Sequence, residues 1–248
     1  MNGMKRIWIV LVAFTAAAAD LPKAEILLEK YIEATGGRAN YEKRTSEYLA
    51  GTVEMPAAGV KGKLEGWSEA PNSLVMVMEI DNIGKMETGT NGVVAWENSA
   101  VMGPRVRAGA ELRFAIREAL FNAPIHWKKL FKKVETMGVE PVEGVDCYKV
   151  VLTPTEGKPE TWFIEKDTSL VLKMVRSELT SMGEVNGELI FKDYKPFDGV
   201  LSPTTLIQKA AGQEIRMKID AITPNVKIPK SKFAPPAEVK QLLQKKAA

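Results

Sequence analysis

The chain reads as a mainly β protein (α+β): an antiparallel sheet of meander type, made of many short strands and accompanied by a few helices. Three observations predict this. Apolar and polar residues alternate with a period of two, most cleanly where Ile215, Met217, Ile219 and Ala221 are interleaved with Glu214, Arg216, Lys218 and Asp220. A helix would spread those charges around its circumference, whereas a strand places them all on one face. Turn signals recur at short intervals, among them Ala57-Ala58-Gly59, Pro71-Asn72, Asn91-Gly92, Glu143-Gly144, Glu156-Gly157, Met182-Gly183, Asp198-Gly199 and Gly212. Helical spacing of apolar residues is confined to three segments.

The elements follow in order. Lys5 and Arg6, the apolar run from Ile7 to Phe14, and the small residues Ala16 to Ala19 have the layout of a secretory signal peptide cleaved before Asp20. The apolar run is shorter than the ~20 residues that span a bilayer, and no cysteine follows it to carry a lipid, so no stable membrane anchor is expected. Lys23 to Ala34 forms the first helix, with Ile26, Leu27, Tyr31 and Ala34 near one face and Gly36-Gly37 as its stop. Strands follow, including Val60 to Glu69, Leu74 to Ile80 and Val93 to Asn98. Glu111 to Asn122 is a helical insertion, and a short turn from Ile125 to Phe131 succeeds it. Further strands include Val145 to Thr153, the segment around Leu170, Leu172 and Met174, Gly187 to Lys192, and Glu214 to Ala221. Pro236 to Lys246 closes the chain as an amphipathic helix, with proline at its start and lysines at its end. About ten or eleven strands of ~5–10 residues fit between Ser46 and Thr223, five before the insertion and six after it.

Composition narrows the function. Of 34 Lys and Arg residues the leader removes two, leaving 32 against 31 Asp and Glu in residues 20–248, a near-neutral balance that argues against nucleic acid as a partner. Cys147 is the one cysteine, so no intramolecular disulfide forms, although export would permit one. His126 is the one histidine, which excludes H-E-x-x-H zinc sites and multi-histidine clusters. There is no nucleophile elbow, phosphate-binding loop or dinucleotide fingerprint. Acid pairs such as Glu111 with Glu118 and Asp193 with Asp198 are what a chain this rich in acids displays on its surface. Lys128, Lys129, Lys132 and Lys133 read as a solvated face, with a weak contact to acidic headgroups as the alternative. Neither an enzyme nor a bound cofactor or metal is expected.

Apolar strand faces are the remaining candidates for a site: Leu74, Met76, Met78, Ile80, Leu170, Leu172, Met174, Leu189, Phe191, Ile215, Met217 and Ile219. Methionine is flexible and polarisable and suits a surface that receives varied apolar guests. Plain core filling by the same side chains is the simpler reading. Trp67 and Trp96 fit either a pocket or a core.

The run Val142-Glu143-Gly144-Val145-Asp146-Cys147-Tyr148-Lys149-Val150-Val151-Leu152, followed by Gly157, Trp162-Phe163-Ile164-Glu165 and Leu170-Val171-Leu172-Lys173, resembles the second half of outer-membrane lipoprotein-sorting proteins. Phe191-Lys192-Asp193-Tyr194, Asp198-Gly199-Val200-Leu201 and Pro203 are similar to the next step of that pattern. Asn225, Ile228-Pro229, Phe233 and Pro235 resemble its closing strand, and Tyr31 to Gly37 resembles the opening helix of exported relatives. The resemblance implies a LolA/LolB-like fold for residues 20–248: an incomplete antiparallel barrel of about eleven strands, with helices as a lid over a hydrophobic cavity. It also implies a periplasmic carrier of lipid or lipoprotein acyl chains, and leaves open partners among inner- or outer-membrane transport proteins. The family latches its lid with a barrel arginine. Arg44, Arg105, Arg107 and Arg113 are the candidates, and no motif selects one. The alternative is an envelope scaffold or protein-interaction module with a filled core.

Overall fold

A computed structural model describes residues 21–180 and 183–247, so the leader at 1–19 and Met182 of one turn signal lie outside the described residues. The first helix, α1 (Ala24–Ala34), and a short α2 (Arg38–Glu42) precede six strands: β1 (Ser46–Met55), β2 (Val60–Glu69), β3 (Ser73–Ile80), β4 (Gly84–Thr90), β5 (Ala95–Ser99) and β6 (Gly103–Arg107). Helix α3 (Gly109–Glu118), a 3₁₀ turn over Ala123–His126 and α4 (Trp127–Leu130) lead into β7 (Phe131–Val142), β8 (Val145–Pro154), β9 (Glu160–Glu165) and β10 (Val171–Thr180). Then come β11 (Gly183–Phe197), β12 (Val200–Ala210), β13 (Gln213–Pro224), a second 3₁₀ turn over Lys230–Phe233 and α5 (Ala237–Ala247).

Among the described residues all thirteen strands lie in one antiparallel sheet, ordered β6-β5-β4-β3-β2-β1-β13-β12-β11-β10-β9-β8-β7. Two meanders are therefore sewn together along β1 and β13, and the two edges, β6 and β7, stay unpaired with each other. The sequence suggests about eleven strands, five and six around the insertion; the sheet has six and seven. The shortfall has a physical reason: short strands such as β6 (Gly103, Pro104, Arg105, Val106, Arg107) carry too little apolar alternation to register. The turn signals do better. Glu143-Gly144, Asp198-Gly199 and Ala211-Gly212 each close a two-residue hairpin with positive φ at both positions, as a type I′ turn requires.

The register assigns side chains to faces. Leu189 pairs Met174 and Gln208, Gln208 pairs Ile215, and Met217 pairs both Leu206 and Val53. Continuing through Gly62 and Ile80, or through Gly51, Leu64 and Met78, the same face runs across the whole sheet. Helix α1 packs on this face at the β7–β10 end. Ala24, Leu27, Leu28 and Ile32 are buried there with Val150, Leu152, Trp162, Ile164 and Val171. That corrects the expected helix face: Ile26 is 49% exposed, because it lies 200° around the helix from Leu28, while Leu28 and Ile32 point inward. Gly36 must be glycine, since a Cβ would stand 2.0 Å from the carbonyl oxygen of Gly199 where the helix end abuts the β11–β12 turn.

Helix α5 covers the opposite face. Trp96, which is fully buried, and Val75 pack with Ile228, Phe233 and Val239, with Trp67, Val77, Val106 and Leu243 around them. The closing segment is thus a strap on the outside of β2–β6, and it adds nothing to the cover of the inner face. Cys147 is buried among Val142, Phe163, Leu172 and Val175 on the outer face of the other meander, an apolar setting that raises its thiol pKa to about 11.

Candidate functional site

Helix α3 determines where empty space can exist. It is ten residues long, about 15 Å, yet it contacts both β5 and β10. Those strands are separated in the sheet by seven others, eight spacings of about 4.8 Å, or roughly 38 Å if the sheet were flat. The sheet must therefore curl until its two wings nearly meet under the helix, which makes it an open half-barrel with α3 across the mouth. Glycines at Gly51, Gly62 and Gly66 lie on the concave face of β1 and β2, where the curl is made. A Cβ at Gly51 would be 2.1 Å from the Lys218 carbonyl oxygen, and one at Gly62 would be 2.2 Å from that of Glu79.

Ion pairs hold the helix at both ends. Arg105 on β6 donates to Glu111 at 2.7 Å and to Glu97 at 3.0 and 3.1 Å, and Arg107 also reaches Glu97. At the far end Arg113 meets Glu156 at 2.6 Å, Arg117 meets Glu118 and Glu160 at 3.1 Å, and Arg176 of β10 bonds Glu118. Arg117 and Arg176 both stand 5.4 Å from the ring centre of Phe114. Of the four arginines named as latch candidates, Arg105 and Arg113 tie α3 to other elements. Arg107 stays within the sheet, and Arg44 makes a buried pair with Glu47 beside β1. Arg117 and Arg176 carry as much of the connection and carry no sequence motif.

None of the residues of α3 is buried, although it is amphipathic. Beneath it lies a cavity of about 590 Å³. Phe114, Ile116, Leu120 and Leu130 supply its apolar wall, and Arg117, Glu160 and Arg176 its charged one. Arg113, Glu156, Lys158 and Glu184 stand at its more exposed side, where Lys158 pairs with Glu184 at 2.6 Å. Glu160 is buried and accepts from Trp162 Nε1 at 3.1 Å. Burial pushes its carboxyl above the ordinary value near 4.5, with Glu118 adding to the rise and Arg117 and Arg176 opposing it. Helix α4 is tied to α1, where Trp127 Nε1 donates to Glu29 at 3.0 Å, and the 3₁₀ turn before it is tied to α2, where Arg38 donates to the Ile125 carbonyl at 2.8 Å.

Ten of the twelve residues proposed from periodicity lie on the concave face: Leu74, Met76, Met78 and Ile80 on β3, Met174 on β10, Leu189 and Phe191 on β11, and Ile215, Met217 and Ile219 on β13. Most are half-buried, and the Met76 sulfur lies 2.7 Å from where a Cβ on Gly66 would be. Leu172 points to the outer face, because a bulge between Val171 and Lys173 breaks the alternation, and Leu170 sits in the preceding turn. None of the twelve lines the cavity under α3 itself; Arg176 connects the two, two residues beyond Met174 on the same face. The cavity's apolar lining comes from the insertion, whose helical spacing the sequence displays, but spacing does not tell a helix over a core from one over a space.

No family model and no curated sequence matches the chain. Solved structures do. A DUF1329 family protein from Desulfovibrio piger superposes with a TM-score of 0.58 at 13% identity, over 87% of this chain and 98% of that one. A LolA superfamily protein from Nitrosomonas europaea gives 0.56 at 14% identity, over 87% and 99%. The chain has the LolA-like fold. A domain from Vibrio parahaemolyticus described as outer membrane lipoprotein-sorting gives 0.55 at 13% identity, over 89% and 99%. At such identities the likeness is one of backbone, and the fold is what it shares. Among the described residues no helix is long and apolar enough to cross a membrane, and no cluster of His, Cys, Asp and Glu could hold a metal ion.

Proposed function

We propose that the protein is an exported, soluble periplasmic carrier that shelters an acyl chain, of a lipid or a lipoprotein, inside its half-barrel. The observation that supports it most is the unburied amphipathic helix α3 above a cavity of about 590 Å³, within the ~300–1,000 Å³ range typical of sites for small molecules. The half-exposed methionine and leucine strip on the concave face extends the apolar surface available to a guest. The fold it shares with a LolA superfamily protein and a lipoprotein-sorting domain points the same way. Residues 1–19 read as a leader, which supports a periplasmic location. Membrane transport proteins are the partners with which it would exchange cargo. Binding is the whole of its activity, with no bond made or broken.

The test is lipid extraction and mass spectrometry of protein purified from the periplasm, followed by thermal melts of delipidated protein with fatty acid, phospholipid or lipopeptide. A ligand at a hundred times its Kd stabilises by about 2.7 kcal/mol, which raises Tm by roughly 5–10 °C in a domain of this size. A scaffold with a filled core predicts no copurified lipid and no rise with any of the three, and that result sinks the carrier reading.

A further inference from the structure

The cavity's size and the charges beside it say more about the guest. At the volume of a water molecule in the liquid, roughly 30 Å³, a cavity of about 590 Å³ holds on the order of 20 non-hydrogen atoms. That is one acyl chain. The second chain of a phospholipid, or the further chains of a lipoprotein anchor, would lie outside it while α3 stays in place.

Every charge around the cavity already has a partner of opposite sign. Deeper in, Arg117 and Arg176 share Glu118, and Arg117 also holds Glu160. At the exposed side stand two separate pairs, Arg113 with Glu156 and Lys158 with Glu184, each at 2.6 Å. Their side chains are 59%, 65%, 64% and 39% exposed, so solvent screens them and they open at little cost. The deeper group is a third or less exposed and is fixed by the Phe114 ring and Trp162.

A headgroup of a single sign entering here takes one member of an exposed pair and leaves the other unpartnered. A headgroup with both signs opens a pair and supplies a partner to each half. The count of ion pairs is then kept or increased. Resting on the carrier reading above, we infer that the site takes a single-chain zwitterionic phospholipid, its phosphate on Arg113 and Lys158, its ammonium on Glu156 and Glu184, and its chain along Phe114, Leu120 and Leu130.

Isothermal titration of the delipidated protein tests this, with all ligands below their micelle concentrations. The probes share a palmitoyl or cetyl chain: lysophosphatidylethanolamine, palmitate, cetyltrimethylammonium, and the two-chain dipalmitoyl phosphatidylethanolamine added as a monomer on a carrier. The lysophospholipid is expected to bind one-to-one and about tenfold tighter than either singly charged chain, a difference of the size expected from gaining one or two ion pairs. The two-chain lipid is expected not to compete. The double variant Glu156→Gln with Glu184→Gln, at exposed positions outside the core, frees two cations and should shift the preference to palmitate. Palmitate binding the wild type as tightly as the lysophospholipid, or a double variant with unchanged preference, overturns the zwitterion assignment and leaves the carrier reading standing. Failure of every chain to bind removes both.

Discussion

Chain length is the most direct probe of the space under α3. Each buried methylene contributes ~0.8 kcal/mol, which is about fourfold in Kd when 1.4 kcal/mol is tenfold. Over a homologous series of single-chain lysophospholipids, affinity should therefore climb about fourfold per methylene. The climb should stop once the chain has on the order of 20 atoms, the capacity of a cavity of about 590 Å³. Leu120 lines that cavity from the end of the insertion helix. Leu120→Trp adds about six non-hydrogen atoms to the wall, so the break should move to chains shorter by about that number. Affinity for the shortest chains should stay near the wild-type value. The assay is isothermal titration of delipidated wild type and variant, with circular dichroism to establish that the variant keeps its fold. A break at the same length in both proteins would place the chain elsewhere, and a wild-type series with no dependence on length would refute burial in this cavity.

Three further outcomes follow. Gly51→Ala puts a Cβ 2.1 Å from the backbone oxygen of Lys218, at the seam between the two meanders; neither strand can retreat cheaply, so urea unfolding should show a loss of about 3 kcal/mol, and a loss below ~1 kcal/mol would mean that the seam is softer than its geometry. Phe233→Ala should cost about 3–5 kcal/mol and shift the emission of Trp96, which it helps bury, to the red; unchanged emission would show that the outer strap is not seated on that tryptophan. The raised carboxyl of Glu160 makes a pH prediction. As pH rises from about 4.5, the unfolded chain ionises first, so the folded state loses stability until the buried carboxyl has also ionised. Urea midpoints of wild type and Glu160→Gln should therefore move apart over that window, the variant gaining relative to wild type as pH rises. Parallel profiles contradict the assignment. Arg117, Glu118 and Arg176, which face Glu160 from α3 and β10, are present in both proteins and drop out of the difference to first order.

The sheet was largely legible because its signals are local. Two-residue turns with glycine at the second position mark hairpins directly, and strands with one apolar face repeat every second residue. Phe163 against Trp162, or Met217 against Lys218, can be sorted into faces by parity alone. Parity fails at a bulge, which is why alternation groups Leu172 with Met174 although it lies on the convex face. The helices were legible as helices, but their places were not. Nothing in the spacing of Val239 and Leu243 tells which face of the sheet α5 covers, because both faces of β3 are apolar: Leu74, Met76 and Met78 on one, Val75 and Val77 on the other. The charged cluster beside the cavity was invisible for another reason. Glu118, Glu160 and Arg176 are far apart in sequence, and their meeting depends on the curl of the whole sheet.

Two facts of placement explain why the cavity exists. A thirteen-stranded sheet has a concave face that four helices, two of them only four or five residues long, must cover once α5 is spent on the outer face. Helix α1 and the four-residue α4 pack down at the β7–β10 wing and complete a core there. Helix α3 is the one that reaches from β10 to β5 on the other wing. A helix that touched the floor would bury its apolar side and close the space; α3 buries none of its residues because ion pairs at each end hold it across the mouth instead. Hydrophobic burial would pull α3 inward by a few kcal/mol if the wings allowed it, since one large apolar side chain is worth ~1.5–3 kcal/mol. They do not, because a rigid helix of about 15 Å spanning both wings cannot also descend between them. The half-buried apolar side chains of α3 and the half-buried strip farther along the concave face therefore persist together, and an apolar chain that fills the cavity and runs on past Arg176 covers part of both.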